Sequence, residues 1–329
     1  MDSLLFALNV VLPIVLMMAV GYWLKTRGLM NTALVKQLNR LVFQLFLPAM
    51  LFLNIYKMET LSDMDPGFVV YVVIMVLTIF LLAAPAVMAV TREESRRGPL
   101  LQGIFRSNYA LVGTPLAQSL FGDEGVAAAA LLSAVIVPLF NTLAVVALSV
   151  FQKKGGKTDV KKILSDIAKN PLIHGVLLGL LVLLVRALFV RWGVDFRLSQ
   201  IKPVYKVIEY LSGLGTPVAL LVLGAQFEFS AAAQLKKEVI FGTFSRCALV
   251  PILGIGTAYL LFRDTFSGAA FAAFVAVFAT PVAVSSVPMS QEMGCDSQLA
   301  GQLVVWTTLF SALSVFFCSF LLRLAGIFG

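Results

Sequence analysis

The 329-residue sequence predicts an all-α polytopic membrane protein of ten spanning helices, built as two inverted five-helix repeats with one broken helix each. Three observations predict it. Hydrophobic residues make up 60% of the chain and charged residues 13%, and apolar runs of about 18 residues or more recur along its length, the mark of spanning helices. Two of these runs carry proline and polar residues at their centres, where a continuous helix fails. Prolines also recur in the same order at a nearly constant offset, which marks an internal duplication.

Taken in order, spans are expected near 4–24, 33–55, 67–90, 99–122, 125–151, 171–190, 205–227, 237–262, 267–293 and 297–325. The first run is too long for a signal-peptide core, and its basic residues follow rather than precede it, so it reads as an uncleaved helix. Span 99–122 gathers Asn108, Gly113, Thr114 and Pro115 at its middle. At bilayer depth the backbone groups freed there need protein or a wet cavity around them. Residues 152–170 form a basic, Lys/Gly-rich loop with an amphipathic turn around Val160 to Ala168, separating a first repeat, 1–151, from a second, 171–329. Span 267–293 carries the matching break, at Thr280 to Pro288.

Basic residues set the orientation. The loops after spans one, three, five and seven hold Lys25, Arg27, Arg92, Arg96, Arg97, Lys153, Lys154, Lys157, Lys161, Lys162, Lys169 and Lys236. Those after spans two, four and eight hold Lys57 and Arg263 and lean acidic through Glu59, Asp63, Asp65, Asp123 and Glu124. The odd loops, the central one included, are therefore expected in the cytoplasm and both termini outside. Arg191, Arg197, Lys202 and Lys206 run against that pattern, partly offset by Asp195 and Glu209. A net charge of +8 confined to loops reports topology, and no nucleic-acid partner is expected.

The offsets are 169 for Pro48 and Pro217, 166 for Pro85 and Pro251, and 173 for Pro115 and Pro288. Gln118 with Gln291 and Asp123 with Asp296 extend the last match. Five spans per unit, an odd number, turn the second copy upside down. Inverted repeats with paired broken helices are how many secondary transporters hold a substrate near the midplane. A channel or a membrane ligand sensor with the same fold is the alternative. An enzyme is not expected. One histidine, His174, excludes a His-Glu-x-x-His site, no Gly-x-Ser-x-Gly elbow is present, and Cys247, Cys295 and Cys318 have neither pairing nor metal-ligand spacing.

The run Ser107-Asn108-Tyr109-Ala110-Leu111-Val112-Gly113-Thr114-Pro115-Leu116-Ala117, followed by Leu120-Phe121-Gly122, resembles the first crossover of the auxin efflux carrier family. Ala279-Thr280-Pro281-Val282-Ala283-Val284-Ser285-Ser286, with Gln291 and Gly294, resembles its second. The resemblance spans essentially the whole chain. It implies a crossover fold like that of bile acid symporters and sodium/proton antiporters, with a scaffold and a transport bundle that moves as an elevator. It implies a small organic carboxylate as substrate, malonate-like or auxin-like, a bacterial inner membrane as location, and, by analogy alone, a homodimer through the scaffold.

The candidate substrate-binding residues are Ser107, Asn108, Thr114 and Gln118 in the first break, Thr280, Ser285, Ser286 and Gln291 in the second, and Arg246. Gly113, Pro115, Pro281 and Pro288 shape the backbone. Asn108 offers two donors and an acceptor to a carboxylate or to a displaced carbonyl; the hydroxyls either face substrate or bond back to their helices. Among ionisable groups within spans, Arg40, Arg106, Arg246 and Glu292 stand out. Arg106 either favours an anion or snorkels to the surface, whereas Arg246, about 13 Å into its span at 1.5 Å per residue, is harder to place at a surface. No adjacent aspartate pair sits in a span. A coupling ion, if used, would be sodium held by carbonyls and hydroxyls near the breaks, or a proton; no other cofactor is expected. Importing a dianion against 100 mV costs about 4.6 kcal/mol, at about 2.3 per charge, so uptake would need two or more accompanying cations and efflux none.

Overall fold

The computed structural model describes residues 2–57, 66–151, 160–194 and 196–328. Glu59, Asp63, Asp65, Lys153, Lys154, Lys157 and Asp195 lie outside the described residues. Within them the chain is all-helical apart from one isolated bridge. Seven helices are long and apolar enough to cross a membrane, and Leu12–Thr26 and Gly268–Phe278 are shorter apolar helices. The protein is an integral membrane protein.

Helix α1 is Asp2–Thr26 and α2 is Thr32–Tyr56; α3 is Pro66–Val90, and α4 is Glu94–Phe105. The chain is extended through Arg106 and turns helical again at Tyr109, entering α5, Thr114–Val150. An amphipathic helix α6, Val160–Lys169, precedes α7, Pro171–Arg191, and α8, Lys202–Gln226. After a short α9, Phe229–Gln234, come α10, Lys236–Phe262, α11, Gly268–Phe278, α12, Ser286–Glu292, and α13, Ser297–Leu324.

The first break lies earlier than the Gly113-Thr114-Pro115 cluster predicts. Arg106, at φ −91° and ψ 108°, and Asn108, at φ −80° and ψ 44°, leave the helix, while Gly113 and Pro115 sit in helical backbone. Pro115 is the seventh residue of the helical run that begins at Tyr109, where its missing N–H would cost a bond in a regular α-helix. The turn ahead of it relaxes to a π-turn, Tyr109–Gly113. The same device precedes Pro48, at Val42–Phe46, and Pro251, at Ser245–Leu249. The segment then ends at Phe121 and Gly122, where Gly122 takes φ 58° before the chain reverses into the rest of α5. The second break, Ala279 to Ser285, falls where expected, although Pro288 belongs to α12 rather than to the break.

Packing sorts the helices into two groups. In one, α1 runs along α8, and α2 runs along α7 and α8. Gly21 and Gly224 let α1 and α8 touch backbone to backbone, since a Cβ at either would overlap the main chain of Leu221 or Met18. In the other, α11 lies along α5, and α4 lies against α3, α5 and α13. Every residue of α11 from Ala269 to Phe278 is buried, as a helix apolar on all faces requires. Leu178, Leu181 and Leu184 of α7 and Leu313, Phe317 and Leu321 of α13 are exposed, a surface suited to lipid. Arg96 ties three helix starts together, reaching Glu238 at 3.2 Å and Asp296 at 3.3 Å, while Asp296 caps α13 through Leu299 N–H.

Candidate functional site

The two breaks meet. The Asn108 N–H donates to the Pro281 carbonyl at 2.7 Å, Ser107 and Val282 pair as an antiparallel bridge, and the Val282 N–H donates to Thr307 Oγ1 at 3.1 Å. Extended backbone at this depth is thus satisfied by the opposite break and by α13, as burial demands.

Four side chains converge there from the first break and α5. The Arg106 guanidinium, 3% exposed, donates from one terminal nitrogen to Asn141 Oδ1 at 2.7 Å and Ser285 Oγ at 2.8 Å. Its other terminal nitrogen faces Gln102 Oε1 at 3.4 Å and the Met289 sulfur. Asn141 holds its own pose by donating to Val137 O at 2.7 Å. Ser107 Oγ and Asn108 Nδ2 are buried without a hydrogen-bond partner. Among the described residues no carboxylate pairs with Arg106. A buried cation beside orphaned donors is costly unless an acceptor arrives.

Arg106, Ser107, Asn108, Asn141 and Ser285 line a cavity of about 40 Å³, whose lining also includes Met50 of α2 and Thr216 and Ala219 of α8. A buried water needs at least about 10–15 Å³ of such volume, so a few waters fit and a dicarboxylate does not. The cavity lies on the seam between the two helix groups.

The other expected residues are elsewhere. Thr280 bonds back to Ala276 O at 2.7 Å, and Ser286 Oγ is buried and unpartnered. Thr114 is half-buried, and neither it nor Gln118, which is exposed, lines the cavity. Gln291 does not share a role with Gln118: its carbonyl oxygen accepts from Asn39 of α2 and from Gln226 of α8, joining α12 to the other helix group. Arg246 is fully buried and directs its donors to main-chain carbonyls, not to the cavity. Arg40 is exposed and Glu292 half-buried. Asn141, Gln102 and Thr216 were missed; Asn141 leaves a trace as a lone amide within an apolar run of α5.

A polytopic helical protein with two broken helices meeting at a polar, cationic cavity is the general class that fold and site define. Residues 6–319 match the membrane transport protein family, and the chain belongs to it, the family of the auxin efflux carriers. It is 22% identical over 308 residues to an uncharacterized transporter of Methanothermobacter thermautotrophicus, covering 93% of this chain and 95% of the relative. It is 27% identical over 243 residues to an uncharacterized transporter of Methanocaldococcus jannaschii, covering 72% of each.

Proposed function

We propose that the protein is a secondary carrier for a small organic anion, a carboxylate of the malonate or auxin-like kind. The observation that carries this is the cavity at the crossing. Arg106 has no acidic partner there, and the Asn108 amide and Ser107 hydroxyl wait beside it without acceptors. A carboxylate supplies both the missing negative charge and the missing acceptors. The positive end of the helical segment that begins at Tyr109 adds to the same preference.

In this reading the chain crosses the membrane ten times as two inverted repeats. Reciprocal packing supports it, for α1 on α8 mirrors α7 on α2, and α5 on α11 mirrors α13 on α4. Helices α1, α2, α7 and α8 form the scaffold, and the remainder forms the transport body. Substrate binds to the crossing residues of the body and is sealed by Met50, Thr216 and Ala219 of the scaffold. Sliding the body along that wall exposes the site to alternate sides without breaking the crossing's own hydrogen bonds.

The test is uptake of radiolabelled malonate, then of auxin-like monocarboxylates, into liposomes holding the purified protein, with proton, sodium and potential gradients imposed in turn. Saturable flux that follows one gradient supports the carrier. Non-saturating flux indicates a channel, and binding without flux indicates a sensor.

A further inference from the structure

An arginine in an apolar span must find compensation or face a large desolvation cost. Arg246 finds it in an unusual place. It lies in the π-turn Ser245–Leu249 of α10, is 0% exposed, and has no carboxylate partner among the described residues. Its Nε donates to Thr280 O at 2.9 Å, one terminal nitrogen to Val277 O at 2.7 Å, and the other to Ile104 O at 3.2 Å and Phe105 O at 3.3 Å. Ile104 and Phe105 close α4, Val277 lies in the last turn of α11, and Thr280 is two residues beyond its end, in the second break. Ile104, Phe105 and Val277 are among the carbonyls that helix C-termini leave without partners, and the Thr280 carbonyl belongs to the segment that follows. Each terminus carries about −0.5 elementary charge, so the two together balance one guanidinium.

In secondary transporters with broken helices, unwound carbonyls and half-helix C-terminal ends are the groups that coordinate sodium. Here the carbonyls at both C-terminal ends are engaged by a cation fixed to α10. A sodium ion entering the same cluster would have to displace N–H donors at 2.7–3.3 Å and sit beside a like charge. A coupling sodium therefore does not fit this carbonyl cluster. We propose that Arg246 is a tethered cation standing where a coupling sodium would otherwise sit, and that the crossing works without sodium. The inference rests on reading the protein as a secondary carrier, and Arg246 acts in it as a positioning residue that joins both half-helices to α10.

The unfolding midpoint of the purified, substrate-free protein in sodium, potassium or choline chloride tests this without transport. The wild-type midpoint is expected to be the same in all three. In Arg246→Ala the emptied carbonyl cluster is expected to take up a cation, so sodium or guanidinium raises the midpoint and choline does not. Arg246→Lys, which keeps the charge, is expected to remain indifferent to sodium and folded even if the alanine variant is not. In liposomes, replacing sodium by choline is expected to leave wild-type flux within twofold. A saturable sodium response of the wild-type midpoint or flux overturns the proposal, as does an Arg246→Lys protein that requires sodium. Absence of flux under every gradient, with a sodium-indifferent midpoint, counts against the carrier reading and leaves the placement of Arg246 standing.

Discussion

Arg106 and Asn108 are neighbours with different exposure to mutation. Asn108 Nδ2 has no partner within the protein, so Asn108→Ala removes no hydrogen bond that this nitrogen makes to the fold. The variant is expected to keep its unfolding midpoint and lose saturable uptake; normal uptake would remove Asn108 from the site. Arg106→Gln removes the charge and, being two atoms shorter, the contacts to Asn141 and Ser285 as well. A hydrogen bond to a charged group contributes about 1.5–3 kcal/mol, so affinity for a carboxylate should fall about tenfold to a hundredfold, read by tracer competition. Unchanged competition would mean the anion is held elsewhere. Sequence alone reached both residues but left Arg106 between substrate and surface, because depth along a helix does not say which way a long side chain points. The partners of Arg246 were hidden for another reason. They are main-chain carbonyls from segments 31 to 142 positions away, and a carbonyl leaves no trace in residue type.

At the level of helices, the pattern of prolines and polar residues located both breaks to within a few residues. Gly113-Thr114-Pro115 reads as an interruption, yet the helix runs through it by way of a π-turn, and the interruption is Arg106-Ser107-Asn108, of which Ser107 and Asn108 were legible in the sequence. The recurrence of Gln118 and Gln291 was legible, but not that one would be exposed and the other bound to Asn39 and Gln226. The contact of α1 with α8 offers a sharper test of helix packing. Gly224→Leu places a side chain into the backbone of Met18, and overpacking of this kind costs about 1–3 kcal/mol. Gly213, on the same helix, has open space around its Cβ direction. Gly213→Ala should hold or raise the unfolding midpoint, since alanine is favoured over glycine in helices by about 0.8–1.0 kcal/mol. Equal effects of the two changes would show that α1 and α8 do not touch there.

Across the whole molecule, the seam between helix groups runs through both the cavity and the Asn39–Gln291–Gln226 contact. A polar recess of about 600 Å³, lined in part by Lys25, Lys36, Gln291 and Gln302, opens beyond that contact. If the transport body slides, this contact must part in every cycle. Cysteines placed together at Asn39 and Gln291 and joined by a short, reducible bis-thiol reagent should stop flux, with reductant restoring it. Flux that continues through a fully formed crosslink would show that α12 does not move against α2.

The crossing has a consequence for how such a protein changes over generations. Its contacts are largely made by main-chain atoms: Asn108 N–H to Pro281 O, and the carbonyls that receive Arg246. Backbone atoms do not mutate. Side chains in the extended segments, Ser107, Asn108 and Ser285 among them, can therefore be exchanged without undoing the junction that displays them. If these side chains hold substrate, drift is free to rewrite what the site recognises while the architecture stays in place.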